Sequence, residues 1–344
     1  MTVYYSKMEF PSYEWTTSNP KIDLILPYPP NAEFSWNQRE GWARALIELG
    51  CLNQLFWVWD NPLLLEQLFD SLRYSEADFI LIMCGDHHQY WLHDSEKKRE
   101  FWRALKKPSV CHSIERILNN PFKDSLGKTR SALRAFDAFI YIDELSETLF
   151  SKKPSLWIPQ YVDETVFRST IPFEKRINKV YFRGKTRNYG IAGVYKDRRE
   201  LLTALLKDND FELSDSSINP MTISEAAGQK GSYRFVLNAP ANCTGYSASL
   251  YEAMACGCVV FNYELSPEEV KSKALFKEGV HFISYNKDSV LDLLNKAKGA
   301  LANYVDYKIM SEEALTETLE KHTIKKRALE VIDFINSNWD RLKK

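Results

Sequence analysis

Short apolar runs bounded by turn residues alternate along this chain with stretches in which apolar positions recur every three or four residues. That alternation of strand and amphipathic-helix patterns predicts an α/β fold built around parallel sheets. In the first half it predicts strands at 21–27, 54–59, 77–84, 109–112, 138–142 and 156–159. Helices are predicted at 36–49, from Pro62, through 101–105 and near 128–136. The run ADFILIMC at 77–84 is nearly continuous apolar, as a strand covered on both faces requires. A polar stretch, 160–178, carries Pro172 and separates this pattern from a second one. The second half restarts with strands at 179–182, 211–213, 233–238, 258–262 and 281–284 and a helix at 197–207. The C-terminal third then reads as helical, with Leu291, Leu294, Ala297 and Leu301 on one face and a charged run at 312–336. The expected organisation is a Rossmann-like domain over 1–160, a linker at 161–178, a second Rossmann-like domain over 179–320, and a final helix at 321–344.

Composition agrees with two domains, because 344 residues exceed what a single core usually supports. With 44% hydrophobic and 26% charged residues, a sizeable globular core is expected. Lys and Arg total 45 against 46 Asp and Glu, so no net field recruits nucleic acid or an anionic membrane, and neither is expected as a partner. No apolar run reaches the roughly 20 residues that span a bilayer. Residues 1–10 hold no apolar stretch behind a basic start, which leaves a cytoplasmic location as the expectation. The six cysteines lack zinc-ligand spacing. Cys256 and Cys258 stand too close for Cys-x-x-Cys, so buried free thiols are expected.

The segment 245–261, GYSASLYEAMACGCVVF, runs from a small-residue turn through a short helix and a Gly turn into a buried strand. Ligands of open α/β sheets sit beyond the carboxyl ends of strands, where helix N-termini offer unpaired N–H groups. Ser247 and Ser249 can cap this helix. Glu252 is the only acid between Glu225 and Glu264, and it interrupts an otherwise small and apolar segment. The string from Ser247 to Val260 resembles the donor motif of GT-B glycosyltransferases, whose spore-maturation and capsule branches read S-x-R-L-x-E-A-M-A-C-G. The resemblance implies that Glu252 binds the hydroxyls of a donor ribose, with Tyr246, Ser247 and Ser249 beside it. Many retaining relatives carry a second Glu eight positions earlier; here that position is Thr244, so stereochemistry does not follow.

Two further stretches carry the same resemblance. VYFRGKTRNYG, from 180, is similar to the first strand and basic loop of GT-B donor domains, which implies that Arg183, Lys185 and Arg187 meet the donor diphosphate. Arg suits bidentate phosphate contact and Lys supplies a point charge. It is not a P-loop, since position 179, where Gly is needed, is Lys. LWIPQYVDETVF, at 156–167, looks like the GT-B interdomain crossover. The resemblance implies two Rossmann-like domains facing across a cleft, with the final helix, 321–344, crossing back towards the first, and a UDP- or GDP-linked sugar as substrate. The acceptor would be a glycan, a protein or a small molecule.

Candidates for the base that takes the acceptor proton come from loops after the buried strands of the first half: Asp86, beside His87 and His88, and His112 with Glu115. The histidines at 87, 88 and 93 lack a register that assures a metal site, and Asp208-Asn209-Asp210 follows a helical pattern, where a turn explains it better than metal binding. No cofactor and no metal are expected, the basic loop supplying the charge. A nucleotide-sugar epimerase of similar architecture and a non-catalytic nucleotide-sugar-binding module are the competing readings. A dehydrogenase is not, because no G-x-G-x-x-G follows the first strand.

Overall fold

The computed structural model describes residues 20–27, 39–58, 62–83, 90–113, 125–184, 194–216, 218–240 and 245–342. The described chain divides into two compact units, one formed from residues up to 158 together with those from 325 onward, the other from 159–324.

In the first unit the order is β1 (Ile22–Pro27), α1 (Arg39–Glu48), β2 (Leu52–Val58), α2 (Pro62–Tyr74), β3 (Phe79–Met83), α3 (Glu96–Ala104), β4 (Ser109–Ser113), α4 (Ser125–Ala135), β5 (Ala138–Tyr141), α5 (Glu147–Phe150) and β6 (Ser155–Trp157). The six strands form one parallel sheet in the order β2-β1-β3-β4-β5-β6. Strands β1, β3, β4 and β5 are buried along their whole length, which explains why FILIM in β3 and AFIY in β5 run apolar instead of alternating.

The second unit contains β7 (Ile177–Gly184), α6 (Val194–Leu205), β8 (Phe211–Asp215), α7 (Ile223–Gly231), β9 (Tyr233–Asn238), α8 (Ala248–Ala255), β10 (Val259–Tyr263), α9 (Val270–Lys273), β11 (Ile283–Tyr285), α10 (Val290–Ala302) and α11 (Lys308–Lys321). Its parallel sheet has the order β11-β10-β9-β7-β8. Finally α12 (Ile324–Ser337) and α13 (Trp339–Leu342) close the chain. Ala328, Val331, Ile332 and Ile335 are buried at helical spacing, so α12 offers the first unit an apolar stripe.

Three expectations change. Residues 161–178, expected as a polar linker, belong to the second unit: Val162, Phe167 and Phe173 sit in its core, and the Val162 N–H donates to the His322 carbonyl at 3.0 Å. The charged run at 312–336 is two helices, α11 and α12, broken at His322 and Thr323 where Val162 pairs with the chain. Helix α7 was not anticipated at all. Its start is fixed by Thr222, which accepts from the Glu225 N–H while the Glu225 carboxylate accepts from the Thr222 N–H, a reciprocal cap.

Candidate functional site

Numbered along the chain, the second sheet runs 2-1-3-4-5, with the strand order reversing between β7 and β9. Ligands of such sheets bind beyond the carboxyl ends of the strands at that reversal. Arg183 and Gly184 end β7 there, and Asn238 ends β9.

The start of α8 is tied to these strand ends. Ser247 occupies the N-cap position, but its side chain does not cap the helix; its Oγ donates to Asn238 Oδ1 at 2.6 Å. Asn238 Nδ2 then donates to Asn262 Oδ1 at 2.6 Å, joining β9 to β10. Ser249, the other expected cap, lies inside the helix. Ahead of it Gly245 turns the chain at φ 71°, and its N–H donates to the Glu269 carboxylate. A Cβ at that glycine would lie 2.9 Å from the Ser272 Cβ, so only glycine fits. At the other end of α8, Gly257 takes φ 66°; its N–H donates to the Met254 carbonyl and the Cys258 N–H to that of Ala253. These paired bonds terminate the helix and give the Cys-Gly-Cys string its structural meaning. Both thiols are buried, and desolvation pushes Cys258 up to about 11.

Glu252 is 7% exposed and forms an ion pair with Lys230, which is 3% exposed, at 2.5 Å. The same ammonium lies 3.4 Å from Ser249 Oγ and 5.6 Å from the centre of the Phe167 ring. Lys230 escapes the sequence reading because α7 itself does, and a lysine in a Gly-Gln-Lys-Gly string ordinarily reads as a solvated residue. The Thr222-x-x-Glu225 spacing was the signal that could have placed it on a helix beside α8.

Arg183 Nη1 donates to Ser214 Oγ at 3.1 Å and Nη2 to the Asn219 carbonyl at 2.9 Å, so the guanidinium leans towards β8 and the turn beyond it. Tyr181 is fully buried, and its hydroxyl donates to Gln229 Oε1 at 2.5 Å. Burial raises its phenol above the ordinary range, and the charges of Arg183 and Lys230 both oppose that rise. Arg183 and Lys230 thus both bear on one buried tyrosine, and Lys230 carries the ion pair with Glu252.

Tyr246 is buried, packed edge-on against Phe276 and Phe282. It lines a cavity of about 750 Å³ with Asn262, Glu264, Phe276, His281 and Ser284. His112 is fully buried inside β4, its ring 5.6 Å from that of Trp42. His93 is also buried, against Phe136. Asp86, Glu115, Lys185 and Arg187 lie outside the described residues, as do His87 and His88. The Asp208–Asp210 string is a turn before β8, with Asp208 Oδ1 accepting from the Asp210 N–H at 2.9 Å. Among the described residues, no three His, Cys, Asp or Glu side chains are grouped to hold a metal, and no helix is long and apolar enough to cross a membrane.

Two doubly wound parallel units of this kind define the GT-B fold, and the chain has it. It is similar to solved structures of that class along most of its length. A sucrose-phosphate synthase from Thermosynechococcus elongatus superposes with a TM-score of 0.64 at 9% identity, over 94% of this chain and 100% of that one. An alpha-glucosyltransferase in complex with UDP-glucose and DNA containing an abasic site superposes at 0.65 and 12% identity, over 92% and 100%. A putative UDP-N-acetylglucosamine 2-epimerase from Listeria monocytogenes superposes at 0.55 and 12% identity, over 94% and 98%. No protein-family model matches the chain, and no curated protein matches it in sequence.

Proposed function

We propose that this chain is a glycosyltransferase that moves a sugar from a UDP- or GDP-linked donor to a hydroxyl of a glycan, protein or small-molecule acceptor. The observation that carries the reading is the buried Glu252 carboxylate, paired with Lys230, on α8, the helix whose start is bonded to the end of β9 at the strand-order reversal. A carboxylate there accepts hydrogen bonds from the ribose hydroxyls of the bound nucleotide. Arg183, with Lys185 and Arg187 that follow it in sequence, meets the diphosphate, whose negative charge grows as the sugar leaves. We assign no metal to this step, because the basic loop supplies the countercharge. Asp86 and Glu115 remain the proposed bases on the acceptor side. His112 is a weaker choice, since a general base must come within hydrogen-bond reach of the acceptor and this ring is enclosed in its strand.

Epimerisation of a nucleotide sugar is the second reading, favoured by the likeness to the Listeria structure. Incubation with UDP- and GDP-sugars and a mixture of acceptors, followed by NMR, separates the readings. Transfer is expected, with nucleoside diphosphate released and a new glycoside formed. An epimerised donor with no glycoside would establish the second reading. A donor that raises Tm yet stays intact would make the chain a binding module.

A further inference from the structure

The Lys230–Glu252 pair is costly to bury. Removing two charges from water carries a desolvation penalty that their attraction offsets only in good geometry, so such a pair is weak evidence for stability. Geometry shows what else it does. Side chains of a helix lean towards its N-terminus. The Lys230 ammonium bridges Glu252 and Ser249, one turn earlier on α8, and is backed by the Phe167 ring. It therefore holds the Glu252 carboxylate over the first turns of the helix, towards the strand ends. An ionised carboxylate has about four acceptor positions, of which the ammonium bond takes one.

We propose that Lys230 is a positioning residue that sets the Glu252 carboxylate for the ribose, and that through it the site selects ribonucleoside diphosphate donors over their 2′-deoxy counterparts. This rests on the ribose reading of Glu252. A site built to pair with a hydroxyl rejects the analogue lacking it, because its own buried polar group is then left unpaired.

The test is calorimetric titration of UDP against 2′-deoxy-UDP, and of GDP against 2′-deoxy-GDP, on the wild type, Glu252→Gln and Lys230→Met. The wild type is expected to bind one ribonucleotide at least about tenfold tighter than its deoxy form, a difference of about 1.4 kcal/mol. Glu252→Gln should abolish that preference. Lys230→Met should shrink it to within about twofold while changing the affinity for the deoxynucleotide little. A merely structural lysine would weaken both nucleotides equally and keep their ratio. If Lys230→Met does not fold by circular dichroism, Lys230→Gln, which retains one hydrogen bond to the carboxylate but not the charge, is expected to keep a reduced preference, below that of the wild type by about threefold or more. A full preference in the folded Lys230 variant, with the preference lost in Glu252→Gln, overturns the proposal alone. A preference that survives Glu252→Gln overturns the ribose reading beneath it.

Discussion

At the scale of single residues, Glu252 could be picked out because it is the one acid in a long small and apolar stretch, and acids in such company seldom lack a reason. Its partner could not. Nothing in the string Gly-Gln-Lys-Gly distinguishes a lysine that reaches inward from one in solvent, and the pairing across 22 residues exists only once α7 lies against α8. Arg183 was visible as a cation ending a strand, whereas its contacts with Ser214 and Asn219 depend on β8 and its turn. Arg183→Ala removes a charge that should count most when the leaving diphosphate carries most charge. Loss of one charge-assisted interaction costs about 1.5–3 kcal/mol, so kcat/KM should fall roughly 10- to 100-fold, with both a higher donor KM and a lower kcat. Steady-state kinetics check this; a change confined to KM would mean that Arg183 holds donor and transition state alike.

At the scale of elements, the strands were readable because both faces of each sheet are covered, leaving unbroken apolar strings such as VVF in β10. Helix α7 was not, because ISEAAGQKG is short, holds two glycines and shows little apolar periodicity; its capping residues, not its face, declare it. The turn after α8 shows the reverse case, where the glycine is the signal. Gly257 takes a left-handed conformation, and an added Cβ would stand 3.2 Å from Arg176 Nη2. The Gly257 carbonyl meanwhile accepts from Arg176 and from Ser311 Oγ, the latter at 2.7 Å, so the turn is anchored from two sides. Gly257→Ala should cost about 1–3 kcal/mol in unfolding free energy, with a lower Tm, because a residue with a Cβ is forced into that region. Chemical denaturation measures it, and an unchanged midpoint would show that the turn relaxes freely.

At the scale of the whole molecule, two alternating patterns foretold two doubly wound units, and the residues that end the first of them were harder to judge. The stretch 161–178 reads as a linker because it carries Pro172 and six charged residues. Val162, Phe167 and Phe173 are nonetheless buried in the core of the second unit. Phe167 also backs the Lys230 ammonium, which joins that segment to the candidate site. The final helix expected at 321–344 is in the structure α12 followed by α13: it continues directly from a bridge with Val162, and its apolar stripe belongs to the first unit. Nucleotide recognition by the second unit underlies the proposed activity. Its most direct test is calorimetric titration of UDP and GDP into the wild type and Glu252→Gln. Saturable binding of at least one nucleotide is expected, weakened about tenfold or more in the variant, or about 1.4 kcal/mol. Absence of binding to both nucleotides, or equal affinity in wild type and variant, would contradict it.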